Sequence, residues 1–241
     1  MTALDDFPMP DRIKRLPVAP NGYPVPYFVA WFDQHGDRTE PGEGVPDFRI
    51  VDPNAMFQCV RRGRNRCWIC GDPLGRHHAF VLGPMCVVTR VTSEPGSHQD
   101  CALYALHVCP FLVHPNRRRN ERPFATEIVP AAGDHSTANP GIMALWMTDG
   151  AVPFQAQRGQ PGILLHVNPP TSVSWWREGR PARRIEVADA LLTAEPKLRA
   201  TCGVDGVSPA EFDTMMRRAL DYMPREDADA EQPTNDQSAR A

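Results

Sequence analysis

The chain has 241 residues, of which 41% are hydrophobic and 23% are charged, and its formal net charge is −3. No run approaches the roughly 20 apolar residues that cross a bilayer, and the N-terminus lacks the basic and then apolar order of a signal peptide. These features exclude a membrane-spanning protein, and we expect a soluble, cytoplasmic globular chain of one large domain or two small ones.

The N-terminal part of the chain combines a proline-rich segment with two predicted strands. Residues 1–26 contain six prolines, which remove backbone hydrogen-bond donors and disfavour helix. We expect this segment to lie extended over a partner surface, so a protein partner could bind through it. A strand is predicted at 27–32 and a half-buried strand at 47–52, and the two could pair antiparallel across a polar loop. A short helix is predicted to begin at Asp52-Pro53-Asn54 and to run through Val60.

The stretch from Cys67 to Cys109 predicts a metal-binding module. It holds five of the seven cysteines within 43 residues, which favours metal ligation in a reducing compartment over a disulfide framework. It opens with Cys67-Trp68-Ile69-Cys70-Gly71, where a tight turn closed by Gly71 would aim both sulfurs at one point. Cys59 and Cys202 lie outside the stretch and are predicted to be plain buried thiols.

A hairpin and a helix are predicted to complete the module. The β-rich runs at 79–82 and 85–91 are joined by Gly83-Pro84, a pattern typical of a β-hairpin. Ser97 is a candidate N-cap for a helix that ends near residue 109. His98 and Cys101 would then share the first turn of that helix and face the paired cysteines. The predicted ligands of a Zn²⁺ ion are Cys67, Cys70, His98 and Cys101, with Cys86 and Cys109 as the substitutes.

This order of elements resembles the treble-clef zinc finger, in which a cysteine knuckle and a helix N-terminus grip one Zn²⁺ ion with a hairpin between them. The resemblance covers about 45 of the 241 residues. It implies a zinc-stabilised, treble-clef-like centre within an α+β fold. Metal should then contribute much of the folding free energy, because so short a module buries too little apolar surface to hold itself together.

Treble clefs include the HNH or His-Me finger nucleases, in which a His on the first strand of the hairpin activates water. His77 and His78 stand just before the predicted strand and are the matching candidates for a general base. In that branch an Asp precedes the His, and an Asn or His on the helix holds Mg²⁺. Here Arg76 precedes the histidines and Ala102 follows Cys101, so these departures favour a module without catalysis.

The charge along the chain is uneven. Residues 57–122 hold ten arginines and four acidic residues, a local charge of +6, which leaves −9 for the rest of the chain. A basic module in an acidic chain is typical of proteins that contact phosphate, although a general preference for arginine over lysine would also produce it. The candidate phosphate contacts are Arg61, Arg62, Arg64, Arg66, Arg117, Arg118 and Arg119.

Residues 141–223 predict a second, smaller α+β unit that follows the module at 27–122. The predicted strands are 141–148, 162–167 and 172–176. Two helices follow, and the second begins at the capping box Ser208-Pro209-Ala210-Glu211. Residues 224–241 are polar and acidic and contain no aromatic residue, so we expect this tail to be disordered.

The predicted function is a non-enzymatic zinc-binding protein whose partner is DNA, RNA or a nucleic-acid-processing complex. The competing class is a protein-interaction or inhibitor module of the phage or accessory-genome type, which would use the proline-rich segment and an apolar face with Trp146, Trp175 and Trp176. The second alternative is the HNH-like nuclease. The runs Cys-x-x-Cys-Gly-Asp-Pro-Leu-Gly and Cys-Pro-Phe-Leu are similar to those of bacterial and bacteriophage proteins, a likeness that implies no function.

Overall fold

The computed structural model describes residues 7–61, 63, 65–114, 139–155, 162–202 and 207–225. The helices are Asp11–Lys14 (α1), Pro53–Val60 (α2), Pro84–Thr89 (α3), Gln99–Val108 (α4), Pro110–Val113 (α5), Arg184–Thr201 (α6) and Pro209–Leu220 (α7). The strands are Val29–Phe32 (β1), Arg38–Thr39 (β2), Val45–Val51 (β3), His78–Leu82 (β4), Val91–Thr92 (β5), Met143–Thr148 (β6), Ala151–Gln155 (β7), Ile163–Val167 (β8), Ser172–Arg177 (β9) and Arg180–Pro181 (β10). Helices together with antiparallel strands make this an α+β fold, as predicted.

The described strands form three antiparallel sheets, with the orders β2-β1-β3, β10-β9-β6-β4 and β5-β8-β7. The pairing of β1 with β3 confirms the antiparallel arrangement predicted for the first two strands. In the four-stranded sheet, β4 comes from the predicted module, whereas β6 and β9 come from the predicted C-terminal unit. One sheet therefore contains strands from both stretches of the chain.

Strands β4 and β6 of the four-stranded sheet are buried on both faces. On one face lies the main core, the apolar cluster that this sheet forms with helices α3, α6 and α7. Phe80 of β4, Trp146 of β6 and Val187 of α6 belong to it. On the other face, Leu145 of β6 packs with Leu106 of α4. Helix α4 is thus held against the sheet, and this packing fixes where its N-terminus lies.

The predicted second strand of the hairpin is wrong, because residues 84–89 form helix α3. Pro84 occupies the first helical position, where its missing N–H costs nothing and its fixed φ suits a helix. Val87 and Val88 enter the main core from this helix. Strand β4 pairs with β6 instead. A short apolar run after Gly-Pro fits a strand or a buried helix equally well, so periodicity could not separate the two.

The N-terminal segment packs on its own chain. Residues 11–14 form the short helix α1, where the proline content predicted an extended backbone. Pro10 takes the N-cap position and no proline falls inside the helix, so the prolines permit this turn. Ile13 of α1 is buried. The structure therefore corrects the extended prediction for residues 11–14.

The C-terminal helices agree with the sequence prediction. The capping box of α7 is formed, with the Glu211 backbone N–H donating to the Ser208 Oγ at 3.3 Å and the Ser208 N–H donating to the Glu211 Oε2 at 2.8 Å. Most of the predicted tail, from residue 226 onward, lies outside the described residues. None of the described helices is both long enough and apolar enough to cross a bilayer.

Three arginines surround one buried carboxylate at the start of α6. Arg180 binds Glu186 through two hydrogen bonds, 2.7 Å from Nη2 to Oε1 and 3.0 Å from Nη1 to Oε2. Arg177 and Arg183 also lie within ion-pair distance of the Oε1 atom. The hydrogen bonds from Arg180 lower the pKa of Glu186 to about 2. The charged form of this carboxylate therefore stabilises the fold.

Glu186→Gln is expected to lower the free energy of unfolding by about 2 kcal/mol at neutral pH, because the arginines lose their charged acceptor. The pKa is depressed in the folded state, so the wild-type advantage is present above the ordinary pKa of 4.5 and is lost as the pH falls toward about 2. Urea unfolding of both proteins at several pH values measures this difference. Glu195→Gln, which removes a surface pair with Arg199, is the control and should cost less than about 0.5 kcal/mol. A difference that persists near pH 2 would contradict the assignment.

Candidate metal centre

Cys67 and Cys70 lie on a tight turn that two backbone hydrogen bonds close. The Cys67 N–H donates to the Asp72 carbonyl at 2.8 Å, and the Gly71 N–H donates to the Cys67 carbonyl at 2.9 Å. This geometry places the Cys70 N–H toward the Cys67 sulfur, with 3.4 Å between nitrogen and Sγ. A backbone N–H that points at a sulfur stabilises its thiolate form. The turn therefore prepares Cys67 to bind a cation.

Gly71 ends this turn in the left-handed region, with a φ of +76°. A Cβ atom at this position would lie 2.6 Å from the Cδ2 atom of Tyr27, which is closer than real Cβ atoms approach another heavy atom. The Tyr27 N–H donates to the Ile69 carbonyl at 2.8 Å, so the segment that leads into β1 is anchored to the turn. Glycine is thus required at position 71 for both its conformation and its size.

His98 and Cys101 begin helix α4. His98 is the N-cap and Cys101 is the third residue of the helix, so their side chains lie one turn apart on the same face. The predicted N-cap, Ser97, is wrong by one residue. Ser97 is buried and pairs with Ala79 in an isolated β-bridge, which holds the chain extended up to the helix.

Two contacts orient His98 toward the cysteine turn. Its backbone N–H points at the Cys67 Sγ, with 3.4 Å between nitrogen and sulfur. Its ring Nε2 lies 3.1 Å from the Pro73 carbonyl oxygen. A carbonyl only accepts hydrogen bonds, so Nε2 carries the proton and Nδ1 is left with its lone pair. His98 therefore presents Nδ1 as the atom that can bind a metal.

The structure brings the four predicted residues together. One ligand atom from each of them lies within 4.8 Å of all the others. The His98 Nδ1 is 3.4 Å from the Cys70 Sγ and 4.0 Å from the Cys101 Sγ. The three cysteines are buried and the histidine is half-buried. A group of three sulfurs and one imidazole nitrogen in this arrangement could hold a metal ion.

The clustered sulfurs change the pKa values of one another. Hydrogen bonds from the Cys101 and Cys70 thiols lower the pKa of Cys67 far below its ordinary value. The hydrogen bond to Cys67 in turn raises the pKa of Cys101. Without a metal, a hydrogen bond to the ionised Cys67 sulfur favours the doubly protonated His98 ring and so raises the pKa of His98. A bound cation would replace the protons that these groups share.

The remaining cysteines lie outside this group. Burial raises the pKa of Cys59 and of Cys86 to about 12, and Cys86 packs against the main core from α3. Cys109 follows the last residue of α4, a helix length of about 15 Å away from the end that bears His98 and Cys101. Cys202 is half-buried against the main core. Neither predicted substitute, Cys86 or Cys109, joins the four residues.

His77 and His78 differ in their surroundings. His77 is exposed, whereas His78 is buried at the start of β4. The His78 Nε2 lies 3.1 Å from the Gly75 carbonyl oxygen and donates to it. Burial lowers the pKa of His78, so its ring is neutral near pH 7. These contacts make His78 a buried packing residue at the start of β4.

Two of the predicted phosphate contacts, Arg61 and Arg66, fall within the described residues, and both are exposed. The Arg66 Nη1 donates to the Gly71 carbonyl at 2.7 Å, so this guanidinium supports the cysteine turn. The other predicted contacts, Arg62, Arg64, Arg117, Arg118 and Arg119, lie outside the described residues.

The predicted apolar tryptophan face divides into core and surface residues. Trp146 and Trp175 are buried, and their indole N–H groups donate to the Asn168 and Tyr222 carbonyls at 3.0 Å and 2.8 Å. Trp176 is half-buried and contacts His107 edge-on. Only Trp176 of the three is therefore open to a partner.

The sequence reading missed the N-terminal residues that pack on the site. Ile13 is buried in one cluster with Cys67, Cys70 and Cys101. Met9, Ile13 and Leu16 stand at i, i+4 and i+7, which is the spacing of one apolar helix face. This spacing within a charged, proline-rich segment was the signal that could have identified them.

No family model matches the chain, and no curated protein or solved structure matches it either.

Proposed function

We propose that Cys67, Cys70, His98 and Cys101 bind a structural Zn²⁺ ion. Tetrahedral zinc, with Zn–S and Zn–N bonds of about 2.3 and 2.1 Å, places three sulfurs and one nitrogen about 3.6–3.8 Å from one another. The separations of 3.4 and 4.0 Å from the His98 Nδ1, and the 4.8 Å limit on all pairs, require only small side-chain rotations. This convergence of four ligand atoms is the observation that carries the proposal.

The chemistry of the donor set favours zinc in a structural role. Thiolate and imidazole ligands suit Zn²⁺, and hard cations such as Mg²⁺ prefer oxygen. The hydrogen bond from Nε2 to the Pro73 carbonyl fixes the His98 ring, as is usual for a metal-bound histidine. Four protein ligands leave no open position for water, so such an ion stabilises the fold and does not activate a nucleophile.

The site supports a treble-clef-like grip in a modified form. The cysteine turn and the N-terminus of α4 correspond to the two gripping elements of that finger. Between them the chain forms β4, α3 and β5 in place of the hairpin. The metal would thus connect a turn and a helix that the main sheet also holds in position.

Elemental analysis of the purified protein tests the site. We expect about one equivalent of zinc per chain. Less than half an equivalent, or iron in place of zinc, would contradict the proposal.

Nucleic acid is the partner class that we propose for this zinc protein. The support is the charge of +6 within residues 57–122 and the exposure of Arg61 at the end of α2. Phosphate contacts supply most of the affinity in such proteins and do not require an open metal position. Protein interaction is the competing class, for which Trp176 is the open aromatic residue.

A salt titration separates these two classes. The logarithm of the binding constant for DNA or RNA should fall linearly with the logarithm of the salt concentration, with a slope near −0.9 for each duplex phosphate contacted. The affinity of an apolar protein interface should depend only weakly on salt. Arg61→Gln should remove about one phosphate contact and so make the slope less negative by about 0.9. Arg218→Gln, an exposed arginine of α7, is the control and should leave the slope unchanged. Undetectable binding at low salt would contradict the proposal and favour the protein-interaction class.

No cleavage of DNA or RNA is expected with Mg²⁺ or Mn²⁺. A nuclease needs a second, phosphate-binding metal, and the described residues contain no other group of three or more His, Cys, Asp or Glu ligand atoms gathered to hold one. Incubation with single- and double-stranded substrates, followed by electrophoresis, checks this. Cleavage that His77→Ala or His78→Ala abolishes, with zinc content unchanged, would establish the nuclease alternative.

A further inference from the structure

The N-terminal cover, defined as residues 7–23, lies over the metal centre. Ile13 is only 1% exposed and belongs to the apolar cluster that contains three of the four metal-binding candidates. Other apolar residues of the cover pack against the same cluster; they are Phe7, Met9, Leu16 and Tyr23. The sulfurs therefore lie beneath side chains that come from a distant part of the sequence.

Polar and aromatic contacts connect the cover to both halves of the site. Arg15 pairs with Asp72 on the cysteine turn, with 2.7 Å between Nη2 and Oδ2. Arg12 pairs with Asp100 in the first turn of α4, with 3.5 Å between Nε and Oδ2. At the other end of α4, Phe7 stacks on His107 with 3.9 Å between ring centroids. The cover thus bridges the turn and the helix that would share the metal.

The charges of the cover suit a metal centre of this composition. Three thiolates, a neutral imidazole and Zn²⁺ sum to one negative charge. Arg12 and Arg15 place two guanidinium groups next to residues that flank the ligands. Both pairs are partly exposed, so their contribution to stability is small and the apolar contacts dominate.

One buried hydroxyl group lies in the cluster beneath the cover. Tyr104 belongs to the same cluster as Ile13, and its Oη is buried without a hydrogen-bond partner among the described residues. A buried hydroxyl without a partner costs free energy, and it recovers a hydrogen bond only when water reaches it. Opening of the cover would therefore be easier with Tyr104 than with phenylalanine at this position.

We infer that the N-terminal cover controls the exchange of the metal ion, which leaves only after the cover opens. This inference rests on the zinc site proposed above. The cover shares its apolar cluster with the site and not with the main core of α3, α6, α7 and the sheet. It can therefore open locally while the main core stays folded.

Zinc transfer from the full-length protein to a chromogenic chelator measures this exchange, at a temperature where circular dichroism shows the protein fully folded. Ile13→Ala leaves a cavity in the cover and should accelerate zinc release about tenfold or more. Ile13→Val should give a smaller acceleration. Tyr104→Phe should slow release several-fold, because opening no longer frees a hydroxyl.

Leu191→Ala is the matched control, because Leu191 is equally buried but lies in the main core. It should leave the zinc-release rate within about twofold of wild type while the protein stays folded. Equal rates for wild type, Ile13→Val and Ile13→Ala, or equal acceleration by Ile13→Ala and Leu191→Ala, would overturn the inference. Less than half an equivalent of zinc in the wild-type protein would instead overturn the zinc site itself, so the two failures are distinguishable.

Discussion

Cys67→Ser and Cys101→Ser are each expected to abolish stoichiometric zinc binding and to lower the melting temperature by more than about 10 °C. Both sulfurs are fully buried, so each substitution leaves a hydroxyl among three remaining ligand groups that have lost their ion. Structural zinc contributes several kcal/mol to folding, and loss of one thiolate removes most of that contribution. Thermal unfolding followed by circular dichroism, together with zinc analysis, measures both effects.

Cys202→Ser is the control for these variants. Cys202 is half-buried and lies outside the metal-binding group, so its substitution should leave the zinc content unchanged and move the melting temperature by only a few degrees. A strong chelator should lower the melting temperature of wild type and of Cys202→Ser equally, and should leave Cys67→Ser unchanged. Equal melting temperatures for Cys67→Ser and Cys202→Ser would show that the four-residue group does not stabilise the fold through a metal.

Gly71→Ala is expected to be the next most damaging of the substitutions considered, with a loss of about 2–4 kcal/mol in the free energy of unfolding and weaker zinc binding. Two effects add at this position. The left-handed backbone, with a φ of +76°, disfavours any side chain. The new Cβ would also meet the base of the Tyr27 ring, at 2.6 Å from Cδ2 and 2.8 Å from Cγ, where the side chain cannot easily move away.

Gly63 offers a matched control, because it has the same φ of +76° but no heavy atom of the described residues within 4 Å of the place that a Cβ atom would take. Gly63→Ala should therefore show the backbone cost alone, about 1 kcal/mol. A double-mutant cycle isolates the ring contact, since Gly71→Ala should cost less in a Tyr27→Ala background. Equal costs for Gly71→Ala and Gly63→Ala in urea unfolding would show that the Tyr27 contact is unimportant.

The candidate metal centre was the most predictable part of this protein, because the geometry of each of its two halves is local. Cys67 and Cys70 sit on one tight turn, and His98 and Cys101 sit three residues apart at a helix start. In each pair the spacing alone determines that the two side chains face the same way. The convergence of the two pairs agrees with the prediction. The N-cap is His98 and not the predicted Ser97, because an isolated bridge with Ala79 holds Ser97 extended.

The sequence alone could not predict which strand pairs with β4. Residues 84–89 form a helix whose Val87 and Val88 enter the main core, and the strand that pairs with β4 begins only at Met143. Such a pairing over more than sixty residues leaves no periodic signal in either segment. The strand propensity of the valines was therefore overridden by tertiary packing.

Spacing within a turn or a helix was enough to predict each half of the candidate metal group and the capping box that starts α7. The mixture of strand and helix patterns was enough to predict the α+β class. The pairing of β4 with β6, the helix α3 in place of a strand, and the position of Ile13 over the sulfurs of the candidate metal centre were visible only in the three-dimensional structure. These features depend on contacts between segments far apart in the chain, where burial outweighs local propensity. The cover over the metal site is the clearest case, since nothing next to Ile13 in the sequence indicates what it packs against.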